Sequence, residues 1–101
     1  MYILYGHAEL FFPYCSSLKE KRKTLQSIIA RVRKRFNISI CEVNYHDLWQ
    51  RSALGFTAVC NSYTDIEPII NAIHDTLDQH LDLCEITDFK HNIYNYDYLG
   101  N

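Results

Sequence analysis

The order in which hydrophobic periods follow one another most constrains what this 101-residue chain can fold into. Residues 2–12 repeat with a period of two. Tyr2, Leu4, Gly6, Ala8, Leu10 and Phe12 form an apolar or small set, and Ile3, Tyr5, His7, Glu9 and Phe11 a mixed one. A strand with one face on a core and one more open face reads this way. Pro13 stops it. The period then changes to 3.6. Ser17-Leu18-Lys19-Glu20 is a capping-box pattern, and Leu18, Leu25, Ile28, Ile29, Val32 and Phe36 fall on one helical stripe about 100° wide. Asn37 ends this predicted helix.

Short periods return with a strand over 38–43, a polar and aromatic connection over 44–51, and a strand over 53–61 with Leu54, Phe56, Ala58 and Cys60 on one face. Thr64 or Asp65 is the expected cap of a second helix, with Glu67 and Pro68 in its first turn. Ile66, Ile69, Ile70, Ile73, Leu77 and Leu81 are its apolar positions. A last strand is expected over 85–96, followed by a Tyr-rich tail from about residue 94. The order β-α-β-β-α-β predicts one ferredoxin-like α+β domain spanning residues 1–101, a four-stranded antiparallel sheet with two helices on one face.

Apolar residues make up 48% of the chain and charged residues 22%, which excludes a disordered chain. No apolar run reaches the 18 residues of a membrane span. The N-terminus lacks the basic segment and cleavage site of a secretory signal, so a cytoplasmic protein without membrane association is expected. Cys15, Cys41, Cys60 and Cys84 contain no C-x-x-C pair. Four reduced thiols and no zinc are expected, with Cys41 and Cys60 as small buried hydrophobes.

Net charge is −2, but residues 1–51 carry nine basic and four acidic groups, and residues 52–101 one basic and eight acidic. Eight of the ten basic residues lie between Tyr14 and Phe36. Lys19, Lys23, Arg31 and Lys34 project opposite the apolar stripe, while Lys21, Arg22, Arg33 and Arg35 flank it, where their stems can lie along the core. Such asymmetry fits a polyanion, an acidic protein surface, or a plainly solvated helix face. Lysines and arginines on several sides of a helix neutralise phosphates and release counterions. Ser16 and Ser17 at the helix start would offer N–H groups to one phosphate.

His46-Asp47-Leu48-Trp49-Gln50-Arg51 is the second candidate. A base could stack on Trp49 while Arg51 binds phosphate; alternatively Trp49 packs over a sheet edge and Asp47 caps a turn or pairs with Arg51. The open sheet face carries Tyr5, His7 and Phe11, but its third strand offers Ala53, Gly55, Thr57, Val59 and Asn61 and no aromatic. Base stacking across the sheet, as in RNA-recognition motifs, lacks its platform there. A homodimer or partner surface suits that face better. His7, Glu9, Glu42, His46 and Asp47 show no catalytic or metal-ligand spacing, and no phosphate loop or nucleophile motif exists. No enzyme activity, cofactor or metal is expected. His74 and His80 are expected to be solvated.

Ser17-Leu18-Lys19-Glu20-Lys21-Arg22 and Asp47-Leu48-Trp49-Gln50-Arg51 with the following Leu54-Gly55 resemble the YlxP-like family of small uncharacterised bacterial proteins. Phe36-Asn37 and Glu42-Val43 fit the same pattern, and the resemblance covers roughly residues 3–90. It implies a ferredoxin-like fold. Members are commonly encoded beside translation-initiation and ribosome-maturation proteins, which implies RNA or a ribosome-associated protein as partner. No catalytic residue comes with it. One departure is Asn44-Tyr45-His46, where the family usually has an acidic residue and a His before Asp-Leu-Trp-Gln-Arg.

Overall fold

The computed structural model describes residues 1–99. Four strands and two helices follow in the order β1 (Tyr2–Phe11), α1 (Leu18–Arg35), β2 (Ser39–Asn44), β3 (Arg51–Cys60), α2 (Ile66–Asp78) and β4 (Glu85–Asn95). The antiparallel sheet has the order β2-β3-β1-β4. This is the ferredoxin-like arrangement.

Alternation along β1 holds as the sequence requires. Leu4, Ala8, Leu10 and Phe12 are buried, as are Leu54, Phe56, Ala58 and Cys60 of β3. They form one core with Leu25, Ile28 and Val32 of α1 and Ile66, Ile69, Ile73 and Leu77 of α2. Both apolar stripes need the same sheet face, so both helices lie there and the other face stays open. Gly6 is required by close approach. A Cβ at this position would collide with the Lys90 carbonyl oxygen and sit 2.8 Å from the Phe56 ring.

Several details differ from the sequence reading. The α2 start is held by Ser62, whose hydroxyl accepts from Thr64 N, while Asp65 reaches back to Ser62 N across a short 3-10 turn. Of the two expected cap residues, Asp65 is the N-cap of α2 and Thr64 is not, although the Asp65 side chain makes no capping hydrogen bond to α2. Helix α2 ends at Asp78, so Leu81 lies in the following turn and is exposed. Cys41 is exposed, because its register partner is Gly55 on the open face. Tyr94 and Asn95 belong to β4, not to a tail.

Register gathers the site at one end of the molecule. The end of β1 pairs with the start of β3 (Phe11 with Arg51) and the start of β4 (Phe11 with Glu85). The loop before α1, the β2–β3 hairpin and the turn after α2 therefore meet there.

Candidate functional site

A buried lysine organises this end. Lys21 has no exposed surface. Its ammonium donates to the carbonyls of Tyr45 (2.7 Å), Arg51 (3.1 Å) and His46 (3.3 Å) and lies 3.0 Å from Glu42 Oε2. The sequence reading placed Lys21 beside the apolar stripe with its head in water. The structure corrects this, because the side chain points inward and the hairpin closes over it.

The local geometry follows from the sheet. Glu42 pairs with Leu54 and so lies on the core-facing side of β2, one step beyond Ile40. Ser52, fully buried, is the equivalent intruder on β3. Ser52 Oγ donates to Glu42 Oε2 at 2.6 Å, and His46 Nδ1 lies 3.0 Å from Oε1. Burial would push the Glu42 carboxyl up, but Ser52, His46 and Lys21 outweigh it and hold it below its usual range. A register shift between Glu42 and Asn44 ends regular pairing, and Tyr45 adopts φ 63°. Asn44 Oδ1 accepts from Tyr45 N at 2.8 Å and Tyr45 O from Leu48 N at 3.1 Å, which fixes the turn. Phe12 N donates to Gln50 O and Gln50 Nε2 to Pro13 O, joining the hairpin to the loop before α1.

This frame fixes the predicted site residues. Trp49 is 53% exposed at the hairpin tip, with Leu48 beside it also exposed. The Arg51 guanidinium stacks 4.0 Å from the centre of the Tyr45 ring, with Glu9 at 3.9 Å. Asp47 makes neither the expected pair with Arg51 nor any other side-chain bond among the described residues. Lys19, Lys23, Arg31 and Lys34 are all exposed on α1.

Not all of these cations are equally available. The α2 helix lies beside α1 and engages its C-terminal half. Arg31 donates to Gln79 Oε1 at 2.6 Å, and Arg35 lies 3.6 Å from Asp75. Arg33 donates to Ile40 O. No ion pair engages Lys19, Arg22, Lys23 or Lys34 among the described residues. At the start of α1 the N–H groups of Ser16 and Glu20 are already taken by the chain's own side chains. Ser17 Oγ accepts from Glu20 N, and Glu20 accepts from Ser16 N at 2.9 Å, which holds its carboxyl below the usual range. The helix's own carboxylate takes the place assigned to a phosphate.

The acid–base candidates separate into three places. Glu42 and His46 share the lysine cluster. Glu9 faces Arg51 and Tyr45. His7 bonds Asp88 at 2.9 Å on the open sheet face, and that bond holds the Asp88 carboxyl low. Among the described residues, no group of three or more His, Cys, Asp or Glu is placed to hold a metal ion. His80, expected in solvent, is 7% exposed. The turn after α2 swings it inward, where Nδ1 lies 2.7 Å from Thr76 O and Nε2 3.4 Å from Ser27 Oγ. His74 stacks on Phe89 with ring centres 4.0 Å apart.

Residues 3–91 match the family described as "Protein of unknown function (DUF503)". The chain belongs to this family. The Bacillus subtilis "Uncharacterized protein YlxP" is 41% identical over 63 residues, covering 62% of this chain and 68% of the relative. For this DUF503 member, solved structures establish the fold alone. The structural genomics protein YJCS superposes with TM-score 0.61 at 14% identity, covering 92% of this chain and 99% of that one. A putative antibiotic biosynthesis monooxygenase from Deinococcus radiodurans gives 0.56 at 17%, covering 100% and 97%. The designed protein LFR1 1 "with ferredoxin fold" gives 0.54 at 13%, covering 95% and 88%. Among the described residues, no helix is long and apolar enough to cross a membrane.

Proposed function

We propose that this protein is a non-catalytic cytoplasmic binding protein that engages the phosphate backbone of RNA, free or within a ribosome-associated particle, through the outer face of α1. One observation carries the reading. Lys19, Lys23 and Lys34 stand exposed on that face with no carboxylate paired to them among the described residues, while Arg31 adds a fourth exposed cation. Phosphate contacts of this kind supply salt-dependent affinity without sequence readout. Trp49 and Arg51 lie on a hairpin tied to the same helix by Lys21, and they extend the surface with a stacking ring and a guanidinium.

Fluorescence anisotropy with a labelled structured RNA at 50–200 mM salt (roughly the range where such binding weakens steeply) tests it. Binding is expected, with a log-affinity slope that flattens by roughly 0.7–0.9 for each phosphate that a variant no longer neutralises. Charge reversal of Lys19, Lys23, Arg31 and Lys34 to Glu should abolish it and leave the fold intact. No binding at low salt, or full affinity in the reversed variant, overturns the reading. A second reading, self-association through the open face, is favoured by the register row Val59–Ile3–Tyr94, flanked by half-exposed Tyr5. Sedimentation of the parent and of Tyr5→Ser with Phe11→Ser separates the two.

A further inference from the structure

A groove of about 520 Å³ opens between the start of α1 and the turn after α2, beside the free end of the cationic face. Phe12, Cys15 and His80 form its inner surface, Tyr14 and Leu83 its apolar walls, and Lys23 and Ser27 part of its rim. Tyr14 is 82% exposed, the most exposed aromatic among the described residues, and Leu83 is also exposed. The Tyr14 ring has no aromatic partner among the described residues, so its face is open to a flat ligand that stacks on it.

The polar chemistry inside the groove is fixed. The Thr76 carbonyl can only accept, so His80 Nδ1 carries the proton of the neutral ring. That leaves Nε2 as an acceptor, and its one protein neighbour is Ser27 Oγ at 3.4 Å, a long contact. The ring is more than nine-tenths buried, so its orientation is set by packing. A ligand with a flat body, an N–H donor on its edge and a negative group attached would stack on Tyr14, donate to His80 Nε2 and lay its charge against Lys23. Glu20, also on the rim, is already committed to Ser16.

We propose that this groove takes one unstacked nucleobase bearing an exocyclic amine, from a looped or single-stranded part of the RNA whose backbone runs along α1. The inference rests on the RNA reading and names the element of RNA that the otherwise sequence-blind helix face would select. Backbone contacts position, and the base contact discriminates.

The test is an amide-shift titration of the full chain with adenosine 5′-monophosphate, purine riboside 5′-monophosphate, which lacks the amine, and ribose 5-phosphate, which lacks the base. Adenosine 5′-monophosphate should shift the amides of Tyr14, Cys15, Ser27, His80 and Leu83. The amine-free analogue should bind several-fold more weakly, and ribose 5-phosphate should leave those amides unmoved. Tyr14→Ala, at an exposed position, should weaken the nucleotide roughly tenfold, and Ser27→Ala should leave the fold intact while altering the His80 contact. Equal shifts with all three ligands, or no effect of Tyr14→Ala, overturn the base site. If labelled RNA still binds in that case, the reading of α1 stands without it. A chain that seats adenosine 5′-monophosphate in the groove but ignores RNA overturns the RNA reading instead.

Discussion

Replacing Lys21 by Met keeps an unbranched apolar stem that ends one heavy atom short of the ammonium, and so removes the charge and its donors. Were this a surface pair, the loss would be ~0–1 kcal/mol. It is not one, since Lys21 is fully buried and the Glu42 side chain is 15% exposed. The substitution strips the Tyr45, His46 and Arg51 carbonyls of this donor and leaves Glu42 as a largely buried anion without its lysine. Removing one partner of a buried pair costs about 3–5 kcal/mol, against a total stability of about 5–15 kcal/mol for a domain of this size. The melting temperature should fall by on the order of 12 °C or more.

Urea unfolding measures this, with an unchanged slope showing that the change is in stability. Trp49 is the sole tryptophan, so its emission reports the hairpin directly. In folded Lys21→Met its quenching by acrylamide should rise, because the carbonyl anchors of the hairpin are gone. Adding Glu42→Leu to Lys21→Met should recover part of the loss, because no unpaired anion then remains; neighbours of this kind couple by ~0.5–3 kcal/mol. A loss below ~1 kcal/mol in the single variant, or a double variant no better than the single one, would refute the argument that Lys21 holds the hairpin through its charge.

Trp49→Ala should cost ~1–2 kcal/mol rather than the ~3–5 kcal/mol of a fully buried aromatic, since half the ring already meets water; a loss of the larger size in urea unfolding contradicts the exposed placement. Glu42 titrates lower folded than unfolded, so its contribution is complete above the ordinary value of 4.5 and is lost as pH falls through the depressed folded value. Acid unfolding should accordingly be less steep in Glu42→Gln, and an identical profile would dissociate the carboxylate from stability. Cys41 should react first with a thiol reagent at neutral pH, and Cys84 among the last, because burial and Asp82 push its thiol up to about 11; unfolding should release four thiols, and early modification of Cys84 would contradict its packing.

What was legible in the chain was whatever depended on period. The alternation of β1, the stripe of α1 and the apolar faces of β3 and α2 survive in the structure because each decides alone which side is buried. The lysine latch was legible in principle. Counting 100° per residue from Leu18, Lys21 falls at about 300°, inside the stripe spanned by Ile28 at about 280° and Ile29 at about 20°. Arg22, at about 40°, lies outside it. A single cation centred in an apolar stripe signals a buried partner, and Glu42, at a core-facing step of the next strand, is the carboxylate that answers it. His80 carried no such signal. Its burial depends on α2 stopping at Asp78 and turning, and no glycine marks that stop. Tyr14 carried no signal either, because its groove arises only where the loop before α1 and the turn after α2 meet against α1.

The same structure reinterprets the charge asymmetry. The sequence left an acidic protein surface open as the partner of basic α1, and α2 carries the acidic Asp75 and Asp78. In the structure the two helices are neighbours in one molecule, and Asp75 and Gln79 engage Arg35 and Arg31 at the C-terminal half of α1. Part of the asymmetry is thus neutralised inside the fold. The one exposed ion pair among these contacts, Arg35–Asp75, contributes little to stability but lowers the positive potential around it, whereas Gln79 orients Arg31 without neutralising it. The unpaired cations Lys19, Arg22 and Lys23 are concentrated at the opposite half, where Lys21 fixes the hairpin carrying Trp49 and where the Tyr14 groove opens. A polyanion drawn to α1 by charge would meet Lys19, Arg22 and Lys23 beside the aromatic side chains of the hairpin and the groove, and Arg31, Arg33 and Lys34 along the rest of the helix.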